Sequence, residues 1–408
     1  MSDTIRYLEK QTKFNSLDTI KRALHLLDLK IDPEKVIVVA GTNGKGTTCS
    51  ALQTLLISSG KNVGFFSSPH LIKINERIKF NGIDISDGDL EDVFRRVHAK
   101  TRDFELSYFE YLTLMAACYF FAIKNVDYAI FEVGLGGSED ASNAVPHAIS
   151  VITSLAMDHE AVLGNNILEI ASNKFGIIGE GNRVFHTEFS DERVALRASE
   201  TTQKFGARLI CAYPYACEVE EGEKYPEFFI KNRFGKFRMN LPGKRAAENI
   251  SLAVTVFDHL VENAERFFSA IENITWPCRM ERIVYKNRDI FLSGDHNPHG
   301  VQSLTDILKY YSYEKIRFVV GICYDKNYRE MLQKLKNLKN SHIYLTETPV
   351  KTLSIKDYDP TFLGEVDFVS ADPTAALDAA VLSAGRDDLV VVTGSLYLTG
   401  EIKKSVAS

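Results

Sequence analysis

No C-x-x-C pair occurs among the six cysteines (Cys49, Cys118, Cys211, Cys217, Cys278 and Cys323), which lie scattered through apolar segments. Such spacing gives no disulfide framework and reads as reduced thiols in a reducing compartment, the cytoplasm. Positive charge is not in excess. Lys and Arg number 48 against 54 Asp and Glu, a net charge of -6, so the electrostatic footprint of a nucleic-acid binder is missing and a small-molecule substrate is expected instead. Long hydrophobic runs are missing too. The most apolar one, 112–123, is too short to span a bilayer and reads as a buried helix, and the amino-terminal MSDTIRYLEKQTKF lacks the apolar core of a signal peptide. Internal repeats, low-complexity tracts and long Gly/Ser linkers are absent, so any hinge between domains is short.

What remains is a chain of 408 residues, 45% hydrophobic, too long for one typical core and apolar enough for two. Apolar β-branched runs at 36–40, 63–67, 128–133, 149–153 and 183–187 alternate with helical patterns at 47–59, 107–124 and from Ser86 to about Lys100. This alternation predicts a parallel sheet covered by helices. A polar stretch at 227–240 reads as an antiparallel hairpin turning at Phe234-Gly235-Lys236. After a helix at 246–260 a second series begins near Trp276-Pro277, with strands at 289–292, 317–321, 342–346 and 389–393 and helices at 301–311, 328–338 and 373–384. The expected boundary lies near Ile274, giving domains 1–274 and 275–408.

Residues 38–52, VVAGTNGKGTTCSAL, place glycines in the turn between a buried strand and a helix. Close approach of backbone to a phosphate needs glycine there. The common phosphate loop ends G-K-[ST], whereas Gly46 here separates Lys45 from Thr47. A glycine turn also serves without a ligand, but a lysine and two hydroxyls at the helix start favour nucleotide binding.

The spelling G-T-N-G-K-G-T resembles the loop of the Mur ligase superfamily, ATP-dependent ligases that join an amino acid to a carboxylate. Further stretches narrow the resemblance to the folylpolyglutamate synthase/dihydrofolate synthase family, of the bifunctional bacterial type. They are SSPHLIKINERIKFNG (67–82), SYFEYLTLMA (107–116), FEVGLGG (131–137), ITSLAMDHEAVLG (152–164), IASNKFGI (170–177), LPGKRAAEN (241–249), WPCRMER (276–282), GDHNP (294–298), VGICYDKN (320–327) and TGSLYLTGEI (393–402). They run in order over nearly the whole chain. The resemblance implies an α/β protein with an amino-terminal P-loop-type ATPase domain, mostly parallel with a small antiparallel addition, and a smaller Rossmann-like carboxy-terminal domain that binds glutamate.

It also implies roles. ATP is held by Gly41, Thr42, Asn43, Gly44, Lys45, Gly46, Thr47 and Thr48, with Asn249 near adenine, and Arg279 at the phosphates. Two Mg²⁺ sites are expected, drawing on Thr47, Glu132, His159 and Lys174. These four with Lys45 form the expected catalytic set. Lys174 can serve only if CO₂ carbamylates it, because an ammonium has no lone pair for a metal. Ser68, Phe109 and Ala141 match the pteroate pocket, and His296 and Ser395 the glutamate site. Read by themselves, Glu132 is either a strand-end carboxylate facing a crevice or a solvated or salt-bridged strand terminus, His159 and His296 ordinary loop histidines, Lys174 a helix-surface lysine, Phe109 core and Ser395 a turn residue.

Three departures stand out. Ser138-Glu139 replaces the usual arginine and apolar residue after E-V-G-L-G-G. Ser293 replaces the acid of D-x-A-H-N-P, with Asp295 two residues later expected to take its place at ATP. Asn327 replaces an aspartate. Retention of Lys45, Thr47, Glu132, His159 and Lys174 favours an active monomeric ligase for glutamate and dihydropteroate or reduced folates. The departures leave two other readings, a catalytically silent nucleotide-binding protein and a ligase for another acid or with the polyglutamylating activity alone. No membrane or nucleic-acid partner is expected, and domain closure over ATP is.

Overall fold

The computed structural model describes residues 2–11 and 16–407; of the stretch read for a leader, residues 1 and 12–14 lie outside them. The chain divides into two compact units. The first comprises Met1–Ala216, Lys231–Phe237 and Ala246–Ile274, and the second Cys217–Ile230, Arg238–Arg245 and Thr275–Ser408.

The first unit is built on eight strands, β1 (Val36–Ala40), β2 (Val63–Phe66), β3 (Ile78–Phe80), β4 (Ile83–Asp84), β5 (Tyr128–Glu132), β6 (Ile149–Ile152), β7 (Arg183–His186) and β8 (Arg208–Cys211). Their order is β4-β3-β2-β5-β1-β6-β7-β8. From β2 to β8 all neighbours pair parallel, and β3 and β4 add an antiparallel edge. β1 reads VIVVA and is buried at every position, as expected of a central strand covered on both faces. Because β5 and β6, which flank it, come from opposite directions of winding, β1 is a topological switch point. Ligands bind in such sheets just beyond the carboxyl end of the switch strand.

The flanking helices start where capping chemistry allows. Ser86 accepts from the Asp89 amide at 3.0 Å ahead of helix Asp87–Thr101. Ser107 and Glu110 exchange hydrogen bonds as a capping box at the head of helix Tyr108–Cys118, which then widens into a π turn, Tyr119–Lys124. The interior of the latter helix (Tyr111 to Ala117) is wholly buried, in keeping with its apolar run.

A three-stranded sheet follows, β9 (Ala216–Glu220), β10 (Glu227–Asn232) and β11 (Gly235–Met239), ordered β11-β10-β9. Its β10–β11 turn falls at Arg233-Phe234, one residue before the position expected from the sequence. The cause is local: the Asn232 side chain accepts from the Phe234 amide at 2.9 Å and closes the turn early.

The second unit carries β12 (Arg279–Tyr285), β13 (Arg288–Ser293), β14 (Ile316–Val320), β15 (Ser341–Thr346), β16 (Phe368–Ser370) and β17 (Leu389–Thr393), in the order β12-β13-β17-β14-β15-β16. All pair parallel except β12, which runs antiparallel to β13 with a register shift between Arg279 and Glu281. The core between this sheet and its helices is made by Val301, Leu304, Leu308, Phe318, Val320, Leu332, Leu345 and Val391, all buried. The described fold is thus the mixed α/β, mostly parallel architecture expected.

Candidate active site

Leaving β1, the chain turns through Gly41 (φ 149°) and Gly44 (φ 92°) into helix Lys45–Ser58. Both turns need glycine for space as well as for φ. A β-carbon at 41 would lie 1.8 Å from Thr153 Oγ1, and one at 44 would lie 2.2 Å from Asn249 Oδ1. The loop is pinned to the segment after β6. Thr153 Oγ1 donates to the Asn43 carbonyl at 2.8 Å and Ser154 Oγ at 3.1 Å. Thr42 Oγ1 donates to the Ala156 carbonyl at 3.0 Å and accepts from its amide at 3.1 Å. Thr48 Oγ1 donates to Asn249 Oδ1 at 3.3 Å. A rigid loop at a helix N-terminus presents amides and a positive dipole end to an anion.

Two lysines converge on this loop. Lys45 Nζ donates to the Gly41 carbonyl at 3.1 Å and to that of Thr42 at 3.4 Å. Lys174, buried at 4% exposure on helix Ile167–Lys174, donates to the same Gly41 oxygen at 2.9 Å. Burial, and then the Lys45 charge, brings the Lys174 ammonium down to about 7, against the opposing pull of Asp158 and Asp140. This lysine is therefore far from a surface residue, and much of it is neutral at physiological pH.

Glu132 ends β5, buried at 4% exposure, and its Oε2 accepts from the Ser68 amide at 3.2 Å. The turn behind it is braced by Asp140, whose buried carboxylate accepts from the amides of Gly134 (2.9 Å), Leu135 (3.0 Å) and Ser142 (2.9 Å); burial pushes its carboxyl up. The Phe109 ring covers Gly134 so closely that a β-carbon there would meet Cζ at 2.8 Å, and it lies 5.4 Å from the Phe66 ring. Ala141 is buried at the start of the short turn Ala141–Ala144. Ser68, Phe109 and Ala141 therefore gather around the strand end that carries Glu132.

His159 stands apart, at the start of helix Glu160–Leu163 with φ 52°. Its amide donates to Asp158 Oδ1 at 2.9 Å, and its Nε2 is 4.0 Å from the same oxygen. Among the described residues no group of three or more His, Cys, Asp or Glu side chains is arranged for a metal. The donors at the loop are a hydroxyl, Thr47, and a carboxylate, Glu132, both buried. Hard oxygen donors of this kind fit Mg²⁺ or Mn²⁺, and Lys174 fits only as an anion.

In the second unit, Arg279 begins β12 with its Nη1 3.9 Å from Asp295 Oδ1. Ser293 Oγ donates to Asp295 Oδ2 at 2.6 Å. The Asp295 carbonyl accepts from the Gly394 amide at 3.0 Å, which ties GDHNP to the end of β17. His296 Nδ1 lies 3.0 Å from the Gly294 carbonyl. Ser395, 1% exposed, accepts from the Tyr397 amide at 3.1 Å and lies 3.5 Å from Cys323 Sγ. Arg279, Asp295, His296 and Ser395 thus lie along two connected strand ends.

Sequence reading did not single out Thr153, Asp158 or Asp140 as parts of the site. Asp140 had a usable signal, since an Asp two residues before Ser142 at a short turn is a helix-cap pattern. Thr153 acts through a chain crossing that no spacing encodes, and Asp158 through its neighbour His159 and its charge on Lys174.

The Mur ligase middle domain matches residues 39–257, and the Mur ligase glutamate ligase domain matches residues 278–396. The dihydrofolate synthase/folylpolyglutamate synthase of Bacillus subtilis (strain 168) is 31% identical, covering 98% of this chain and 98% of that protein. The chain belongs to the folylpolyglutamate synthase/dihydrofolate synthase family of Mur ligases. Solved structures of this family superpose over its full length. E. coli FolC in complex with DHPP and ADP has a TM-score of 0.84 at 27% identity, covering 100% of this chain and 97% of that one. A bifunctional folylpolyglutamate synthase/dihydrofolate synthase with Mn, AMPPNP and L-glutamate bound has a TM-score of 0.85 at 27% identity, covering 99% and 97%. Among this ligase's residues, Gly41–Thr48, Glu132, His159, Lys174 and Asn249 fall within the middle-domain match, and Arg279, Asp295, His296 and Ser395 within the glutamate ligase match.

Proposed function

We propose that this protein uses ATP to ligate L-glutamate to dihydropteroate, forming dihydrofolate, and to reduced folates, extending their glutamate chains. The observation that carries the reading is the full-length match to bifunctional relatives combined with the convergence of Lys45 and Lys174 on the Gly41 loop. In this reading residues 1–274 form the ATP-binding domain and 275–408 the glutamate-binding domain.

The chemistry follows from the parts. A carboxylate oxygen of the acceptor attacks the γ-phosphorus, ADP leaves, and an acyl phosphate forms. The uncharged amine of glutamate then attacks the carbonyl carbon; the tetrahedral intermediate expels phosphate, and the nitrogen loses a proton to leave an amide. Phosphoryl transfer needs charge neutralisation more than covalent help. Lys45 and the amides of Gly41–Thr48 supply it at the phosphates, with Arg279 and Asp295 contributing to the nucleotide and Asn249 near the base. Thr47, Glu132, His159 and carbamylated Lys174 would hold divalent cations at two sites, which would supply neutralisation of the phosphate charge. The neutral Lys174 amine attacks CO₂ and loses a proton, giving a carbamate anion. Its low proton affinity supports this assignment. Ser68, Phe109 and Ala141 line the acceptor pocket, and His296 and Ser395 hold glutamate.

The hydrogen bond from Ser293 to Asp295 supports Asp295 as the acid that stands in for the replaced one. No helix among the described residues is long and apolar enough to cross a membrane, and we assign the enzyme to the cytoplasm as a monomer. Mass spectrometry after incubation with ATP, Mg²⁺, glutamate and either dihydropteroate or tetrahydrofolate tests the proposal. A gain of one glutamyl mass on both acceptors is expected. A gain on tetrahydrofolate alone reduces the enzyme to the polyglutamylating activity, and no gain on either rejects the ligase reading.

A further inference from the structure

The loop between β2 and β3 holds an arrangement that the chemistry above does not use. Arg77, at 8% exposure, donates from Nε to His70 Nδ1 at 2.8 Å. An arginine cannot accept a proton, so Nδ1 is the acceptor and the ring proton resides on Nε2. Arg77 is itself held, its guanidinium lying 5.4 Å from the Tyr108 ring centroid. The loop around it is stiffened by Glu76, whose carboxylate accepts from the amides of Leu71, Ile72 and Lys73 at 2.8 to 2.9 Å. Among the described residues Nε2 has no protein partner.

This donor lies beside the acceptor pocket. Ser68, two residues earlier, binds Glu132 through its amide, and the His70 backbone is within about 7 Å of Ser68. On the other side, Tyr108 precedes Phe109, which covers Gly134. The loop that carries the imidazole is thus tied to the strand end of Glu132 through Ser68 and, through Arg77, to Tyr108, the chain neighbour of Phe109.

We propose that His70 is a neutral hydrogen-bond donor, through Nε2–H, to the acceptor's reacting carboxyl oxygen, strengthening as that oxygen gains charge in the tetrahedral intermediate, with Arg77 the positioning residue that fixes the tautomer. The inference rests on the ligase reading given above. Burial, followed by the Arg77 charge and partly offset by Glu76, holds the imidazole down to about 4. Such a ring stays neutral through the physiological range and is too weak a base to take the glutamate proton, which leaves donation as its role. Donors aimed at a developing oxyanion typically contribute about 10²- to 10³-fold in kcat.

Glutamate ligation by His70→Ala, His70→Gln and His70→Asn enzymes tests this. The amide nitrogen of Gln lies near the place of Nε2 and that of Asn near Nδ1. We expect His70→Ala to lower kcat by about 10²-fold with little change in the acceptor or ATP KM, His70→Gln to recover part of the loss, and His70→Asn to recover none. A raised acceptor KM at unchanged kcat, or equal behaviour of Gln and Asn, would overturn the proposal in favour of a purely structural loop residue. Nitrogen-15 spectra of the imidazole give a reading that does not need turnover. The Nε2–H tautomer, no titration above pH 5, and a shifted Nε2–H resonance on adding dihydropteroate are expected. An Nδ1–H tautomer or an unmoved resonance rejects the contact. If the wild-type enzyme makes no glutamyl product, the ligase reading fails, and the titration with dihydropteroate still decides whether His70 meets that ligand.

Discussion

Gly44→Ala is the sharpest test of the phosphate loop. Residue 44 has φ 92°, and an added β-carbon would sit 2.2 Å from Asn249 Oδ1. A side chain in this region costs roughly 1–2 kcal/mol. Asn249 must move, which breaks its 3.3 Å hydrogen bond from Thr48, a further loss of about 1 kcal/mol. The total, about 2–3 kcal/mol, is shared between folding stability and nucleotide affinity. Taken wholly in affinity it weakens binding roughly 30- to 150-fold. Isothermal titration with AMPPNP and Mg²⁺, paired with denaturant unfolding of the free protein, reads both shares. Combining Gly44→Ala with Asn249→Ala removes the obstruction, so the double variant should lose less than the sum of the single losses. A Gly44→Ala protein that keeps both affinity and stability within about 0.5 kcal/mol of wild type would show that the loop does not depend on this glycine.

Other outcomes follow from neighbouring features. With Lys174 held near 7, its neutral fraction rises from about a tenth at pH 6 to about nine tenths at pH 8, whereas an ordinary lysine is only roughly one part in 2,500 neutral at pH 7. Carbon-13 bicarbonate should therefore give a carbamate resonance that grows with pH over this window and vanishes in Lys174→Gln; no resonance at pH 8 counts against the modification. Asp295→Ala is expected to raise the ATP and glutamate KM values by about tenfold, and unchanged values reject its role. Ser293→Asp, which brings in the family's usual acid, sets a second carboxylate against Asp295, whose Oδ2 is 2.6 Å from the present hydroxyl. It should lower thermal stability without raising activity. In the second unit the buried pair Arg317–Asp388 is supported by Arg317 Nη2 to the Ser383 carbonyl at 2.6 Å and by the Lys315 amide to Asp388 at 2.9 Å. Arg317→Met leaves a buried carboxylate unpaired and should cost about 3–5 kcal/mol in denaturant unfolding, with the ATP affinity of the folded enzyme unchanged.

Elements made of long buried β-branched runs were legible in the sequence. β1, β14 and β17 are buried at all five positions, and the glycine loop was placed between its strand and its helix. What escaped was set by tertiary contact. β8 and β16 are short strands with exposed or half-exposed positions, so neither carries an apolar run to announce it. β12 was read only as the motif WPCRMER, because its exposed alternate positions and its bulge at Arg279 disguise a strand. Lys174 read as a surface lysine because nothing near it in sequence betrays that it crosses to the Gly41 carbonyl. The pairing of His70 with Arg77 was equally invisible, although both lie within one quoted motif.

The division of the chain into units bears on its synthesis. Between Ala216 and Thr275 the polypeptide passes five times from one unit to the other. Residues 217–230 and 238–245 therefore leave the ribosome well before the sheet they belong with. Until that sheet is made, Tyr225 has neither Phe291 nor Tyr311 to pack on, and Phe228 lacks Tyr310. A nascent chain halted at Ile274 would carry these rings uncovered, and the isolated segment 275–408 would lack them. The two halves of this ligase are thus interleaved in time as well as in sequence.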